Sequence, residues 1–434
     1  MDNTLLILLI LIVALLFLLM SGLWVAVGLS LLGFLGLKFA VGMGMERMLG
    51  VLQLSAVNMF VLCAIPLFIF MGNILLRSGL MERVYRGINP FLCPLPGGML
   101  HTNIGVCGIF GACSGSSVAA AATMGHVAIP VMKKLGYERG LLYSSLAAGG
   151  TLSSMIPPSA AFILYGAWVG ESVGALFIAG IIPGLLLVFM FMGYIAVVSL
   201  LRPGLTPQAD KISLREKLLP LVHVLPVFLV IFSVLGTIYL GVATPTEAAA
   251  LGASASLVVC GLYRELRWTL LKESLLSTVA TCSMIFFILM GAQAFSMVLS
   301  MLKIPEALSM WVVSLGLGRW LVFIAVVFLY MLLGAIIDPN SMLLMTLSVT
   351  YPLMIKLGFD SVWFGVCMAV FVEMSMITPP LGLNLFIIHS ISEEKDIAPL
   401  IKGCLPFFIL MVVLLAILYV FPGVALWLPS HMMQ

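Results

Sequence analysis

Charge is what this chain has least of. Only 9% of its 434 residues are Asp, Glu, Lys or Arg, while 63% are hydrophobic. A water-soluble domain needs a charged surface, so that class is excluded. Polar stretches are also scarce, and the longest, Arg202–Lys217, amounts to a loop. The basic residues are scattered and do not interleave with aromatics, which argues against nucleic acid as a partner. The eight cysteines (Cys63, Cys93, Cys107, Cys113, Cys260, Cys282, Cys367 and Cys404) mostly sit inside apolar runs without metal-ligand spacing. They are expected to pack as small apolar residues, and no transition-metal centre is expected.

Apolar length, by contrast, is abundant. Runs of about 20 residues, enough to cross ~30 Å of hydrocarbon, recur along the chain. Spans are predicted near 3–20, 22–44, 52–76, 142–168, 174–200, 218–240, 246–263, 274–300, 361–391 and 402–427. Met1–Met20 lacks a basic leading segment and runs straight into another apolar stretch, so it is expected to be a retained span rather than a signal peptide. Two further regions, 98–132 and 320–355, are too long for one span and too interrupted for two. If each is a re-entrant hairpin, 15 of the 20 basic residues fall on one face; Lys38, Arg47, Lys303, Arg319 and Lys356 are the remainder. That bias assigns the rich face to the cytoplasm and puts both termini outside. The first hairpin then opens inward and the second outward.

The two halves repeat. IPVMKKLGY (129–137) matches YPLMIKLGF (351–359), and Pro157-Pro158 matches Pro379-Pro380 at the same spacing of 222. Gly180 and Pro183 match Gly403 and Pro406, and PLFIFMG (66–72) matches FFILMG (286–291), with Gly72 on Gly291. An odd number of crossings per repeat and an even linker force opposite orientations. The predicted fold is therefore an all-α polytopic membrane protein built as an inverted repeat, with two re-entrant helical hairpins and two broken transmembrane helices. Its divisions are 1–58 for the N-terminal scaffold spans, 59–200 for the first repeat, 201–273 for linker and scaffold, and 274–434 for the second repeat.

The interruptions carry the chemistry. The first hairpin centres on Cys113-Ser114-Gly115-Ser116-Ser117, where small residues permit a tight backbone turn. The span aligned with it reads AAGGTLSSMIPPSAAFILYG (147–166), in which Pro157 and Pro158 remove two main-chain donors. Thr151, Ser153, Ser154 and Ser159 add oxygens of the kind a hard cation needs. In the second half the hairpin tip is GAIIDPNSM (334–342) and the broken span is VEMSMITPPLGLNLF (372–386). Irregular backbone at membrane depth must be covered by protein or line a wet cavity. Helix ends there offer N–H groups to anions.

Intramembrane carboxylates are costly and usually functional. Asp338 is either a site residue or a cap before Pro339. Glu373 is expected to orient the broken backbone or satisfy a freed N–H. Glu247, in GVATPTEAAA (241–250), follows a capping pattern and is expected to be structural. His126, His223 and His389 are not expected to act directly.

In these motifs the chain resembles the large membrane subunit (DctM-like permease) of the tripartite ATP-independent periplasmic, or TRAP, transporters. The resemblance covers essentially the whole chain. It is carried by IPLFIFMGNILLRSGL (65–80), SGSS at the first tip, IPPSAAFILYG (156–166), GVATPTEAAALGA (241–253) and ITPPLGLNLFI (377–387), in that order. It implies a scaffold and a mobile domain with elevator-type movement in a bacterial inner membrane. It also implies sodium-coupled import of an organic anion such as a C4-dicarboxylate, sialic acid or another sugar acid. Two partners follow from it, a separate small four-helix membrane subunit (DctQ-like) and a periplasmic substrate-binding protein. By the resemblance, Ser114, Ser116 and Ser117 with Gly150, Thr151 and Pro157 form one sodium site, and Asn340, Ser341, Ser375, Thr378 and Gly382 the other. The anion is expected against Gly115, Ser116, Ser159, Asn340 and Asn384. Two departures are that SSVAAAA follows the first tip without the acidic residue many relatives carry, and that Ser375 stands where Gly is common.

Two other readings compete. One is a self-sufficient carboxylate symporter of related fold. The other is an intramembrane serine protease built on Ser114-Gly115. That chemistry needs a histidine within hydrogen-bond reach, and His126 lies three turns down the same hairpin. No enzymatic activity is expected.

Overall fold

A computed structural model of the chain describes residues 3–41, 45–207, 222 and 224–431. Every regular element among the described residues is helical. Lys211, Arg215, Lys217, His223 and the start of the predicted 218–240 span lie outside them.

The predicted repeat is present element by element. The first half runs from Ala64–Arg77 through a short amphipathic helix, Leu80–Leu92, to hairpin arms Met99–Ser114 and Ser117–Lys134. A broken span follows, Arg139–Met155 then Ala160–Val169, and a long helix, Val173–Leu201. In the second half the same series is Trp268–Met301, Ile304–Ser314, arms Arg319–Gly334 and Pro339–Lys356, broken span Ser361–Met376 then Leu383–Ser392, and long helix Ala398–Val420. The hairpin arms measure 16 and 18 residues in both halves, so the likeness extends to backbone and not only composition. The packing is exchanged between halves. Ser117–Lys134 lies on Leu383–Ser392, and Pro339–Lys356 on Ala160–Val169; Arg139–Met155 lies on Ala398–Val420, and Ser361–Met376 on Val173–Leu201. Such pairwise exchange is the signature of a two-fold relation.

Local chemistry explains where each helix stops. Gly115 takes the left-handed conformation (φ 57) at the first tip, and the hydroxyl of the extended Ser116 accepts from the Ala119 N–H. The second tip uses different chemistry: Asp338 accepts from the Ser341 N–H at 3.0 Å, with Pro339 opening the helix. Asp338 is thus a cap, one of its two predicted roles. Both broken spans begin on an acidic cap in register, Glu138 on Gly140 and Leu141 N–H, and Asp360 on Trp363 N–H. Both break at a cis Pro–Pro bond, Pro157–Pro158 and Pro379–Pro380. Thr244 and Glu247 form a reciprocal capping box, the structural role expected of Glu247.

The remaining long helices form a scaffold. Val25–Leu35 lies on Trp268–Met301, and Pro245–Leu262 on Ala64–Arg77. Glycine allows this closeness: a Cβ on Gly33 would sit 2.6 Å from Ala294 Cβ, and one on Gly291 would sit 2.5 Å from the Ala26 carbonyl. Arg77–Glu273 and Arg83–Glu265, both 2.8 Å, add ion pairs at one end.

Three predicted spans need correction. The 52–76 stretch is two elements, Leu49–Val57 and Phe60–Arg77, because Asn58 leaves the helical region and Met59 is extended. The 22–44 stretch is helical over Val25–Leu35 and widens to π-helix over Gly36–Val41. The 402–427 stretch stops at Val420 and resumes as Gly423–Leu426, because Phe421 leaves the helical region before Pro422.

The scaffold contact yields a prediction. Gly33→Val should destabilise the protein by about 1–3 kcal/mol through overpacking. Gly193→Val, where an added Cβ meets nothing within 4 Å, should be near neutral. Thermal unfolding of the two variants in detergent checks the contrast.

Candidate functional site: a cavity between the interruptions and the scaffold

All four interruptions and the scaffold converge on one cavity of about 450 Å³. The first tip contributes Ser114, Gly115, Ser116 and Ser117, and the second Asp338, Pro339 and Asn340. Ser154 comes from the first broken span and Glu373 with Met376 from the second. The opposite wall belongs to the scaffold, with Gly72 and Asn73 of Ala64–Arg77 and Ser277 and Thr281 of Trp268–Met301. None of the described lining residues is Lys, Arg or His.

One hydrogen-bond chain ties the interruptions together. Ser117 Oγ lies 2.7 and 2.6 Å from Oε1 and Oε2 of Glu373, and 3.3 Å from Ser154 Oγ. Ser154 in turn donates to the Gly115 carbonyl at 3.4 Å. Glu373 is fully buried, and its partner is a hydroxyl of the other half rather than its own broken backbone, which corrects the role expected of it. Close backbone approach does the rest. A Cβ on Gly115 would lie 3.0 Å from the Pro158 carbonyl, so the first tip rests directly on the first break. A Cβ on Gly72 would lie 2.5 Å from Ser114 Cα, so the scaffold touches the tip backbone to backbone.

A family model described as "Tripartite ATP-independent periplasmic transporter, DctM component" matches residues 10–424. The chain belongs to this DctM family. It is 34% identical over 372 residues to the C4-dicarboxylate TRAP transporter large permease protein DctM of Pseudomonas aeruginosa, covering 86% of each chain. The sialic acid TRAP transporter large permease protein SiaM of Vibrio cholerae is 28% identical over 396 residues, covering 91% of this chain and 90% of its own. In fold the chain is similar to the crystal structure of the YdaH transporter of Alcanivorax borkumensis, with a TM-score of 0.59 at 14% identity over 88% of both chains.

The predicted site residues of this DctM-family chain separate into groups. Ser114, Gly115, Ser116, Ser117 and Asn340 line the cavity. Thr151, Ser375 and Thr378 do not, and each donates its hydroxyl hydrogen to its own helix, on Ala148, Val372 and Met374 carbonyls, at 2.6 Å. A hydroxyl so committed presents only lone pairs, the side a cation uses. Gly150 lies deeper, where a Cβ would meet Asn384 Nδ2 at 2.8 Å, and that amide donates to the Ala147 carbonyl at 3.0 Å. Asn384 Oδ1, Ser159 Oγ, Ser341 Oγ and Ser153 Oγ are buried without hydrogen-bond partners. Pro157 and Gly382 shape the breaks, Gly382 accepting from the Leu385 N–H at 2.9 Å. His126 is exposed and His389 half-buried, and neither lines the cavity. Six of the cysteines are buried in the packing, and the described residues hold no metal-binding cluster.

Sequence reasoning missed the scaffold wall of Asn73, Ser277 and Thr281, whose only signal is polarity inside apolar runs. It also missed a clamp far from the tips. Glu394 accepts from Tyr143 Oη at 2.8 Å, Arg139 Nη1 at 2.9 Å and Lys133 Nζ at 3.2 Å, while Lys133 also donates to the Ser392 carbonyl at 2.6 Å. The first hairpin, the first broken span and the end of the second are fastened together there. The Tyr143 hydrogen bond, with Lys133 and Arg139, holds the Glu394 carboxyl below its ordinary 4.5.

Two predictions follow from these contacts. Ser117→Ala removes the hydroxyl nearest the buried Glu373 carboxyl and should cost about 1–3 kcal/mol, whereas adding Glu373→Leu should recover most of the loss. Thermal unfolding of the single and double variants checks this; a double variant no more stable than Ser117→Ala would refute the contact. Because the Glu394 carboxyl is depressed in the fold, its stabilisation is present above pH 4.5 and fades as pH falls through the lower folded value. Glu394→Gln should therefore flatten the acid side of the stability profile and leave its neutral-to-basic shape unchanged.

Proposed function

We propose that this chain is the large membrane subunit of a sodium-driven, binding-protein-dependent importer of an organic anion. The observation that carries the reading is the single cavity in which two hairpin tips and two broken spans face a scaffold wall. Anion contacts come from the helix end at Ser116 and Ser117 and from Asn340. Cation contacts come from hydroxyl lone pairs and freed carbonyls. One ion is assigned to Ser114, Ser116, Ser117, Gly150, Thr151 and Pro157. A second is assigned to Asn340, Ser341, Ser375, Thr378 and Gly382. The unpartnered Ser341 Oγ supports the second site.

The movement proposed is an elevator step, in which the hairpins and broken spans slide as one body across the scaffold. The clamp at Glu394 supports their acting as one body. The small membrane subunit and the periplasmic binding protein complete the tripartite assembly that the family description names. The basic-rich face is assigned to the cytoplasm of an inner membrane, with both termini periplasmic. Sodium binds first and orders the tips, so sodium and substrate affinities rise together.

Reconstitution of the assembly in liposomes tests the reading. Uptake should require an inward sodium gradient and the binding protein. Full transport with the binding protein omitted would favour the self-sufficient symporter, and uptake indifferent to sodium would remove the coupling.

A further inference from the structure

The cavity has two walls of different chemistry, and the difference bears on what it holds. On the mobile side, the helix Ser117–Lys134 opens toward the cavity at Ser117 and Val118, while the next two N–H groups, of Ala119 and Ala120, are bonded to Ser116. The first-turn N–H groups of a helix favour a negative charge. The second tip does not repeat this. Its helix begins with Pro339, which has no N–H, and the carboxylate of Asp338 already occupies the Ser341 N–H. The described lining holds no cationic side chain and the second tip offers it one amide, Asn340, so the Ser117 helix end is the seat the geometry gives an anionic head.

On the scaffold side, a donor and acceptor count decides the rest. Asn73 Nδ2 spends one hydrogen on Thr278 Oγ1 at 3.1 Å. Ser277 spends its hydroxyl hydrogen on Asn73 Oδ1 at 3.4 Å, and Thr281 spends its own on the Ser277 carbonyl at 3.0 Å. What remains toward the cavity is a single Asn73 N–H against lone pairs on Asn73 Oδ1, Ser277 Oγ and Thr281 Oγ1. A wall of acceptors matches a ligand that brings donors. A second carboxylate brings acceptors only.

We propose that Asn73, Ser277 and Thr281 are the specificity-determining residues of the cargo cavity, and that they select an anion with one carboxylate head and a neutral, hydroxyl-bearing tail over a dicarboxylate. The inference rests on the transporter reading above and narrows it. The carboxylate sits at the Ser116–Ser117 helix end and the hydroxyls hydrogen-bond the scaffold wall. Because that wall is fixed while the tips move, the tail contacts exist only while the mobile body faces it.

The test uses the purified full chain in sodium-containing nanodiscs, with gluconate, succinate and hexanoate as probes and thermal unfolding as readout. Gluconate should raise the unfolding midpoint at lower concentration than succinate or hexanoate. Thr281→Val, which keeps side-chain volume, and Ser277→Ala, which removes only the hydroxyl, should each weaken the gluconate effect by about fivefold, as loss of one hydrogen bond implies. They should leave the hexanoate response unchanged, which separates loss of the tail contact from general damage to the fold. Asn73→Asp, which replaces the last donor with an acceptor and a charge, should weaken succinate further. Succinate stabilising as well as gluconate, or variants indifferent to the hydroxylated probe, would overturn the proposal. That outcome is distinct from failure of the transporter reading, which would appear as no sodium-dependent uptake of any anion by the reconstituted assembly.

Discussion

Backbone freed from a helix inside hydrocarbon has no water to bond to, and the arrangement of this protein follows from that constraint. The four interruptions gather at one cavity, where the first break is buried at Pro157 and Pro158 while Pro379, Pro380 and Leu381 of the second are exposed. The first tip rests on the first break through Gly115, whose missing Cβ brings it against the Pro158 carbonyl. The second hairpin makes the equivalent approach through Gly334, which abuts Ser375. Ser117 and Glu373 then join the halves. The space left between the tips, the breaks and the scaffold is the cavity.

The two ends of this body are held by different forces. Far from the tips, a tyrosine, a lysine and an arginine converge on Glu394, and the segments there cannot part without breaking several charged hydrogen bonds at once. At the tips, the scaffold is met by glycine on backbone, Gly72 against Ser114. A contact made of van der Waals approach alone has no hydrogen bonds to lose when it slides. In the proposed elevator step, the firm end would keep the hairpins and broken spans together and the smooth end would let them slide.

Much of this could be read in the sequence because it depends on residues close in the chain. Gly115, Pro157-Pro158 and Pro379-Pro380 act on their own backbone, so the tips and breaks fall where the punctuation puts them. Asp338 and Thr244 cap the helices they precede. The repeat was visible because the same punctuation recurs at a fixed spacing. What escaped depends on distance. Glu373 pairs with a serine 256 residues away, and no local pattern reports that. The helices Leu80–Leu92 and Ile304–Ser314 are too short to register as spans, although they occupy matching places in the two halves. The merged 52–76 span failed at Asn58, one polar residue whose effect on the backbone a hydropathy pattern averages away.

Among the described lining residues no side chain is cationic, and under the proposed reading this has a consequence for carrying an anion. A fixed lysine or arginine would pair with the cargo, but it would remain as an uncompensated charge in a low-dielectric path after the cargo left, and such a charge is costly there. Hydroxyls, carbonyls and helix ends leave no such residue when empty. Under the proposed reading, the positive charge arrives with the driving ion and departs with it, so the loaded body is closer to neutral than either partner alone. Glu373 fits the same logic. Its carboxyl is held by the hydroxyl of Ser117 rather than paired with a permanent cation, so no salt bridge at the cavity has to break on loading.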